Sequence, residues 1–341
     1  GNGRIGTMVF GDPVHEQFQL NEETVWGGSP HNNTNPKAKD ALPRIRQLIF
    51  EGKNKEAQEL CGPTICSQSA NGMPYQTVGS LHLDFDGINE YNDYYRDLDI
   101  EKAIATTRFT ANGVTYTREA YTSFPDQVLV IRLTASQKKS ISFTAKYSTP
   151  YKSSVIRCIS PRKELQLNGK ANDHEGIEGK VEFTALTRIE NNGGKLEILS
   201  DSTLQVKDAN SVILYVSIGT NFVNYKDVSG DALNSAQQYL KLVNKNYPKS
   251  KASHINAYQK YFNRVSLNLG SNTQINKPTD VRVKEFSSSF DPQMAALYFQ
   301  FGRYLLICSS QPGRLPICKV SGTTNCVLLG MASIPLTSTL K

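Results

Sequence analysis

Residues 20–30 have the sequence Leu-Asn-Glu-Glu-Thr-Val-Trp-Gly-Gly-Ser-Pro, which is the most informative stretch of the chain. They contain the only tryptophan, Trp26, together with two carboxylates, an amide, hydroxyl groups and a Gly-Gly turn. A strand-like run at residues 7–11 precedes them, and the first helical pattern follows them. This combination of side chains favours a polar loop that lies against sugar-like surfaces over a core strand.

The composition limits the classes of protein that the chain can represent. Its 341 residues fit one large or two ordinary domains, and an apolar share of 38% is enough for a real core. The net charge of +7 is spread along the chain without a long Lys/Arg block, so nucleic-acid binding is not predicted. The sequence has no long apolar run, so no membrane span is predicted. No signal-peptide pattern is visible, and we expect a further segment before Gly1 because the chain starts inside what looks like a motif.

No metal site and no cofactor are predicted from the cysteines and histidines. Cys61 and Cys66 lack the second Cys or His pair that a zinc site needs, and the five histidines are scattered. A Cys61–Cys66 disulfide is one interpretation, and free or buried thiols are the other, which we favour. The cysteines are Cys61, Cys66, Cys158, Cys308, Cys318 and Cys326.

Residues 1–6, Gly-Asn-Gly-Arg-Ile-Gly, match the G-x-G-x-x-G pattern of dinucleotide-binding loops. That pattern indicates a dinucleotide site when it follows a strand and opens a helix, whereas here a strand-like run follows it. We therefore predict a tight turn into a first strand, with Arg4 as a structural hydrogen-bond donor.

Two short helices are predicted between residues 36 and 61. Asp40 is the expected N-cap of the first helix, Pro43 falls in its first turn, and Gly52 ends it. Residues 62–74 are predicted to form a loop.

From residue 75 to residue 222 the apolar side chains recur with a period of two. Residues 81–85 and 141–147 alternate as half-buried strands do. Residues 128–131 and 212–216 are continuous apolar runs, typical of central strands buried on both faces. Asn-Gly and Gly-Gly turn signals separate the runs. Many strands without long helices between them predict an antiparallel sandwich.

Helical patterns return after the sandwich. Two stretches between residues 233 and 265 have apolar side chains at helical spacing, and an extended exit follows at 266–270. Asp291 and Pro292 predict the N-cap and first position of another helix. Its apolar face, from Met294 to Cys308, cannot be buried by that helix alone, so it predicts the beginning of an α-helical domain.

Residues 20–30 resemble the Leu-Asn-Glu-acid-Thr-Leu-Trp-Ser-Gly-Gly-Pro segment of glycoside hydrolase family 95, the 1,2-α-L-fucosidases. Several other stretches resemble the same family, and their joint order from Gly1 to Pro316 is highly specific. These stretches are residues 1–6, 48–53, 75–79, 94–99, 116–119, 262–265 and 299–306.

The resemblance implies a mainly β chain: an antiparallel β-super-sandwich, then a helical linker, then the start of a truncated (α/α)6 barrel. We place the sandwich at residues 1–225, with a small helical insertion at 36–61. The helical linker and exit strand follow at 226–278, and the barrel begins at 279–316.

Residues 317–341 depart from the family. Relatives continue through a Pro-Ala-Asn-Leu-Gln-Gly-Ile-Trp-Asn segment, whereas residues 317–323 here are Ile-Cys-Lys-Val-Ser-Gly-Thr. Codons for the family segment, translated one base later, can encode those seven residues. We interpret 317–341 as a frameshifted, non-native tail.

The resemblance also implies a reaction. Family 95 enzymes invert the anomeric carbon: a carboxylic acid protonates the leaving oxygen while water attacks from the opposite face. The residues for this chemistry lie in the barrel beyond Pro316, so no catalytic residue is assigned in this chain.

The implied whole enzyme is an exo-acting α-L-fucosidase of fucosylated oligosaccharides or polysaccharides, secreted or periplasmic, and this chain alone is expected to be inactive. One alternative is a stand-alone carbohydrate-binding or structural module. Another is part of an α-L-galactosidase or of a glycoside phosphorylase.

Asn21, Glu22 and Trp26 are the candidate substrate-binding residues, lining a glycan cleft where the sandwich meets the barrel. The alternative is that their loop only fixes the sandwich against the barrel.

Other candidate side chains have simpler interpretations. The carboxylate pairs Asp84/Asp86 and Asp97/Asp99 occupy alternating strand positions and are interpreted as a solvated face. The tyrosines at residues 91–95 could stack on sugar rings, but edge-strand packing is the preferred interpretation.

Overall fold

A computed structural model describes residues 1–67 and 72–313 of the chain. In these ranges the strands are β1 (Ile5–Val9), β2 (His15–Glu22), β3 (Gly79–Asp84), β4 (Asn92–Asp99), β5 (Ile104–Ala111), β6 (Val114–Thr122), β7 (Leu129–Ala135), β8 (Ile141–Ser148), β9 (Val155–Ile159), β10 (Glu164–Lys170), β11 (Glu182–Asn192), β12 (Lys195–Ser200), β13 (Thr203–Ala209) and β14 (Ser211–Thr220). The helices are α1 (Ala38–Phe50), α2 (Asn54–Thr64), α3 (Ala232–Leu242), α4 (Tyr247–Phe262), α5 (Thr279–Glu285) and α6 (Pro292–Ser309), with a short 3-10 helix at Thr273–Asn276.

The strands form two antiparallel sheets that pack face to face. One sheet has six strands in the order β1-β2-β3-β8-β13-β12, and the other has eight in the order β4-β5-β6-β7-β14-β11-β10-β9. The predicted mainly β fold, an antiparallel sandwich followed by helices, is therefore confirmed.

Apolar side chains recur at every second position of the strands, so they lie on the faces that the two sheets turn toward each other and form a common core. Along β8, Ile141, Phe143, Ala145 and Tyr147 point into the core between the sheets. Burying a large apolar side chain such as Ile141 or Phe143 contributes roughly 1.5–3 kcal/mol. The continuous apolar run of β14 is buried on both faces, because helices cover the outer face of its sheet.

A buried ion pair joins the two sheets. Glu16 on β2 is 0% exposed and Arg118 on β6 is 3% exposed, with Nη1 of Arg118 at 3.2 Å from Oε2 of Glu16. Arg118 also donates to the carbonyls of Asp12 and Pro13, and its guanidinium lies 4.0 Å from the ring centroid of Phe85. Burial raises the pKa of Glu16, although the charge of Arg118 acts in the opposite direction.

Helices α3 and α4 cover the outer face of the eight-stranded sheet. Ala236 and Leu240 of α3 pack there with Tyr215 of β14. Asp126 joins α4 to the sandwich, because its Oδ2 accepts hydrogen bonds from the hydroxyls of Ser123 at 2.8 Å and Ser250 at 2.9 Å.

Helix α6 begins as the sequence predicts. The Asp291 side chain caps it by accepting from Met294 N at 3.0 Å, and Arg282 contacts both carboxylate oxygens of Asp291 at 2.9 and 3.0 Å. Only part of the helix is covered in the described chain: Tyr298 is 76% exposed and Leu306 is 64% exposed.

The predicted start of α1 is wrong. The helix begins at Ala38 with Lys37 at the N-cap position, so Asp40 lies in the first turn and Pro43 lies beyond it. The reason is that the Asn35 side chain accepts from Lys37 N at 3.0 Å and starts the turn early. Gly52, with φ +75°, ends the segment as predicted.

Other predicted details differ less. Helix α2 extends to Thr64, past the predicted start of the loop at 62. Pro248 lies in the first turn of α4. The predicted exit strand at 266–270 joins neither sheet in the described chain. The predicted frameshifted tail, 317–341, lies outside the described residues.

The described cysteines are free thiols, which includes Cys61 and Cys66. None of the helices in residues 1–67 and 72–313 is long and apolar enough to cross a membrane.

Candidate functional site

The candidate site lies at the end of the sandwich where β2 leaves its sheet. β2 continues through Leu20, Asn21 and Glu22, the first three residues of the stretch 20–30. Asn21 pairs with Gly6 of β1 and is 7% exposed. The beginning of the stretch is therefore strand, and the loop proper begins after Glu22.

The Glu22 carboxylate orders the beginning of the loop. It is 3% exposed, and its Oε2 accepts from the backbone N and the hydroxyl of Thr24, both at 2.7 Å. The same hydroxyl lies 2.6 Å from the Thr220 hydroxyl at the end of β14. These bonds connect the loop of one sheet to the last strand of the other.

Trp26 is partly exposed to solvent. The residue is 36% exposed, and its Nε1 donates to the Glu23 carbonyl at 2.9 Å. Its ring packs edge-on against the ring of Tyr75, with 5.2 Å between the ring centroids. The Tyr75 hydroxyl donates to the Glu22 carbonyl at 3.0 Å. Burial and the nearby carboxylates of Glu22 and Glu23 raise the pKa of Tyr75 well above its ordinary value.

The Gly-Gly turn fits between two other loops. Gly27 N donates to the Pro74 carbonyl at 2.8 Å, and Gly28 N donates to the Asn172 carbonyl at 2.9 Å. Gly28 has φ +69°, and a side chain there would meet the sulfur of Met73 at 2.4 Å. Only glycine fits this position without rearrangement.

The predicted structural role of Arg4 agrees with its contacts. Arg4 is 2% exposed, and Nη1 donates to the Ile218 carbonyl at 2.5 Å and lies 3.6 Å from Oε1 of Glu22. Its guanidinium stacks 3.7 Å from the ring centroid of Tyr239 on α3. Gly3 N donates to the Cys308 carbonyl of α6 at 2.9 Å. The turn at residues 1–6 thus links the sandwich, α3 and the end of α6, and leads into β1 rather than a helix.

Two family descriptions match the sequence in succession. "Glycosyl hydrolase family 65, N-terminal domain" matches residues 1–225, and "Glycosyl hydrolase family 95 catalytic domain" matches residues 246–322. The chain belongs, over residues 1–225, to the family of glycosyl hydrolase family 65 N-terminal domains, and residues 246–322 are similar to the family 95 catalytic domain.

Curated relatives align over nearly the whole chain. "Alpha-L-fucosidase 2" of Arabidopsis thaliana is 34% identical over 92% of this chain and 40% of its own length. "Probable alpha-fucosidase A" of Aspergillus niger is 28% identical over 93% of this chain and 41% of its own length. The protein of the same name from Aspergillus oryzae is 24% identical, over 93% and 46%. The chain therefore spans less than half the length of these curated relatives.

No catalytic group is assigned in residues 246–322, the stretch that matches the family 95 description. The carboxylate pairs Asp84/Asp86 and Asp97/Asp99 lie on strands or just after them, and several of these groups form ion pairs. Asp84 pairs with His15 at 3.0 Å and Lys146 at 2.8 Å. Burial and the neighbouring Asp99 raise the pKa of Asp97, and Asp99 in turn pairs with Lys102 at 2.7 Å. No group of three His, Cys, Asp or Glu side chains within residues 1–67 and 72–313 is arranged to hold a metal ion.

Sequence reasoning missed two parts of this site. Tyr75, the ring partner of Trp26, lies in one of the stretches that resembles the family, but nothing local indicates which side chain it meets. The loop around Asn172 has no strong sequence signal, and only the folded chain brings it to Gly28.

Proposed function

We propose that the complete protein is an inverting, exo-acting glycoside hydrolase that releases α-L-fucose from fucosylated oligosaccharides or polysaccharides. The observation that carries this proposal is the collinear match of nearly the whole chain to α-fucosidases. This chain supplies the non-catalytic N-terminal region, because the inverting acid and its water-orienting partners belong to the part of the barrel that follows. We also propose that the protein acts in a secreted or periplasmic setting, where such glycans occur.

We propose three regions for residues 1–316. The sandwich takes residues 1–225, the helical linker 226–278, and the first part of the barrel 279–316. The stacking of Arg4 on Tyr239 supports a fixed geometry between the first and second regions, and the bond from Gly3 N to the Cys308 carbonyl supports one between the first and third.

We propose that the loop after β2 borders the glycan site, with Trp26 as the contacting residue. A half-exposed indole offers an apolar face for the C–H side of a sugar ring and is held rigidly by Tyr75. Asn21 and Glu22 are mostly buried, and the bonds of Glu22 to Thr24 support a role in shaping the loop that presents Trp26.

A Trp26→Ala variant of the complete protein separates substrate contact from bracing. If Trp26 touches substrate, KM for a 2′-fucosylated oligosaccharide rises while the melting temperature stays near that of the wild type. If the loop only braces the two domains, the melting temperature falls and KM is unchanged. Phe50→Ala, at an 89% exposed position on α1, is the matched control for loss of an exposed aromatic ring.

A second measurement tests the division of labour. The chain of 341 residues should release no fucose, whereas the complete protein should do so. Release of fucose by the isolated chain would overturn the assignment of catalysis to the barrel.

A further inference from the structure

An open cleft of about 550 Å³ lies on the outer face of the eight-stranded sheet, at the β9 edge and beside the start of α3. We propose that this cleft is a second carbohydrate-binding site, which takes a neutral mono- or disaccharide unit and acts independently of the Trp26 loop. The choice of a sugar as ligand rests on the proposed function, while the position and polarity of the cleft do not.

The cleft has an oriented hydrogen-bond donor in its floor. Oδ1 of Asn168 accepts from Nε2 of Gln166 at 2.9 Å and from the hydroxyl of Thr184 at 2.9 Å. Gln166 and Thr184 are each 3% exposed, so these two bonds are shielded from water. They fix the amide, and Nδ2 of Asn168 has no acceptor among the described residues. Its two hydrogens are available to a ligand.

Acceptors and a cation surround that donor. The Glu182 carboxylate is exposed, and Asp231 uses Oδ1 to cap α3 by accepting from Asn234 N at 2.9 Å. Lys170 lines the same cleft and pairs with Glu178 at 3.0 Å. A hydroxyl can donate and accept at once, so neighbouring sugar hydroxyls suit a mixture of donors and acceptors. An anion would meet two carboxylates, which argues against phosphate or an acidic sugar.

The walls also offer apolar surface. Val155 on β9 is 53% exposed and Leu233 is half-buried at the start of α3, and both line the cleft. A ligand pocket with apolar walls and a few convergent polar groups is the usual form of a small-molecule site. The C–H faces of a sugar ring can pack on such side chains while its hydroxyls bond to the floor.

The arrangement is formed before any ligand arrives. Asn168 is in register with Val155 on one side and Thr184 on the other, so the strand ladder sets their spacing. The Asp231 cap fixes the opposite wall. A preformed site loses little conformational freedom on binding.

Calorimetric titration of the 341-residue chain tests the proposal, with 2′-fucosyllactose and lactose as neutral probes and 3′-sialyllactose as the acidic one. We expect binding of a neutral probe and weaker binding of the acidic one. Asn168→Asp keeps the acceptor for Gln166 and Thr184 but removes the donor, and should weaken neutral binding about five- to tenfold, the loss expected for one hydrogen bond. Asn256→Asp, on the exposed side of α4, is the matched control and should bind as the wild type does.

A second variant guards against a folding defect at Asn168. Val155→Trp replaces an exposed edge-strand residue, fills the cleft and should abolish binding with an unchanged melting temperature. The proposal would be overturned if the wild type, Asn168→Asp and Val155→Trp bound the neutral probe equally well. It would also be overturned if Trp26→Ala were the one variant that lost binding. If no neutral probe binds although the complete protein releases fucose, this second site is refuted and the proposed function stands.

Discussion

Replacement of Arg118 by methionine tests how the two sheets are held together. The substitution keeps much of the side chain that packs on Phe85 but removes the guanidinium beside Glu16. Glu16 is 0% exposed, and among the described residues the donors left to its carboxylate after the change are the backbone N atoms of Gly11 and Gln17, at 2.8 and 3.0 Å. The carbonyls of Asp12 and Pro13 also lose the donor that Arg118 supplies.

Removing one partner of a buried ion pair costs about 3–5 kcal/mol, a large part of the roughly 5–15 kcal/mol that stabilises a typical folded domain. We therefore expect Arg118→Met to lower the free energy of unfolding by about that amount. Equilibrium unfolding in urea, followed by circular dichroism, should show a lower midpoint with little change in slope.

A double-mutant cycle separates the ion pair from simple loss of packing. Glu16→Gln combined with Arg118→Met removes the stranded charge, so the double variant should be more stable than the sum of the two single effects predicts. Arg108→Met, at an exposed position on the neighbouring strand β5, is the control and should change stability by less than about 0.5 kcal/mol. A loss of less than about 1 kcal/mol in Arg118→Met, or strict additivity in the cycle, would show that the ion pair does not hold the two sheets together.

Three further predictions concern the helical part. Burial lowers the pKa of His254 to about 4, below the ordinary value of about 6.5, so the unfolded state binds more protons between those values. The contribution of neutral His254 to the free energy of unfolding is therefore fully present above about pH 6.5 and falls by about 1.4 kcal/mol per pH unit as the pH approaches 4. Urea titrations at several pH values should show that His254→Gln removes this slope. His31→Gln, at an exposed position, is the control and should keep it. Asp126→Ala breaks the bonds to Ser123 and Ser250 and should cost about 2 kcal/mol, with loss of near-ultraviolet signal from the α4 contact; a melting curve identical to that of the wild type would contradict this. The exposed apolar face of α6 should make the chain self-associate. Leu306→Lys should raise the monomer fraction, measured by size-exclusion chromatography with light scattering. A monodisperse wild-type monomer would disprove the prediction.

The sandwich was predictable because strand alternation is a local property. Ile141, Phe143 and Ala145 point to the core on the period that the sequence shows. The start of α1 was not predictable by the same means, because Asn35 competed with Asp40 through a side-chain bond that the pattern does not reveal. Similar polar residues can each start a turn, and the tertiary context selects one.

The candidate site was predictable only in outline. The composition of residues 20–30 indicates a polar loop around Trp26, and the loop exists. The sequence does not show that Glu22 turns inward to Thr24, or that Tyr75 supports the indole. The cleft at Asn168 arises from the register of three strands and the position of α3, which are long-range properties of the fold.

We propose that this chain begins an inverting α-L-fucosidase. The most direct measurement is proton NMR of the complete protein acting on 2′-fucosyllactose, which resolves the anomers of newly released fucose. An inverting enzyme acting on an α-linkage yields β-L-fucose first, and α-L-fucose appears later by mutarotation. We expect that order, and α-L-fucose appearing first, or no release of fucose, would contradict the proposed function.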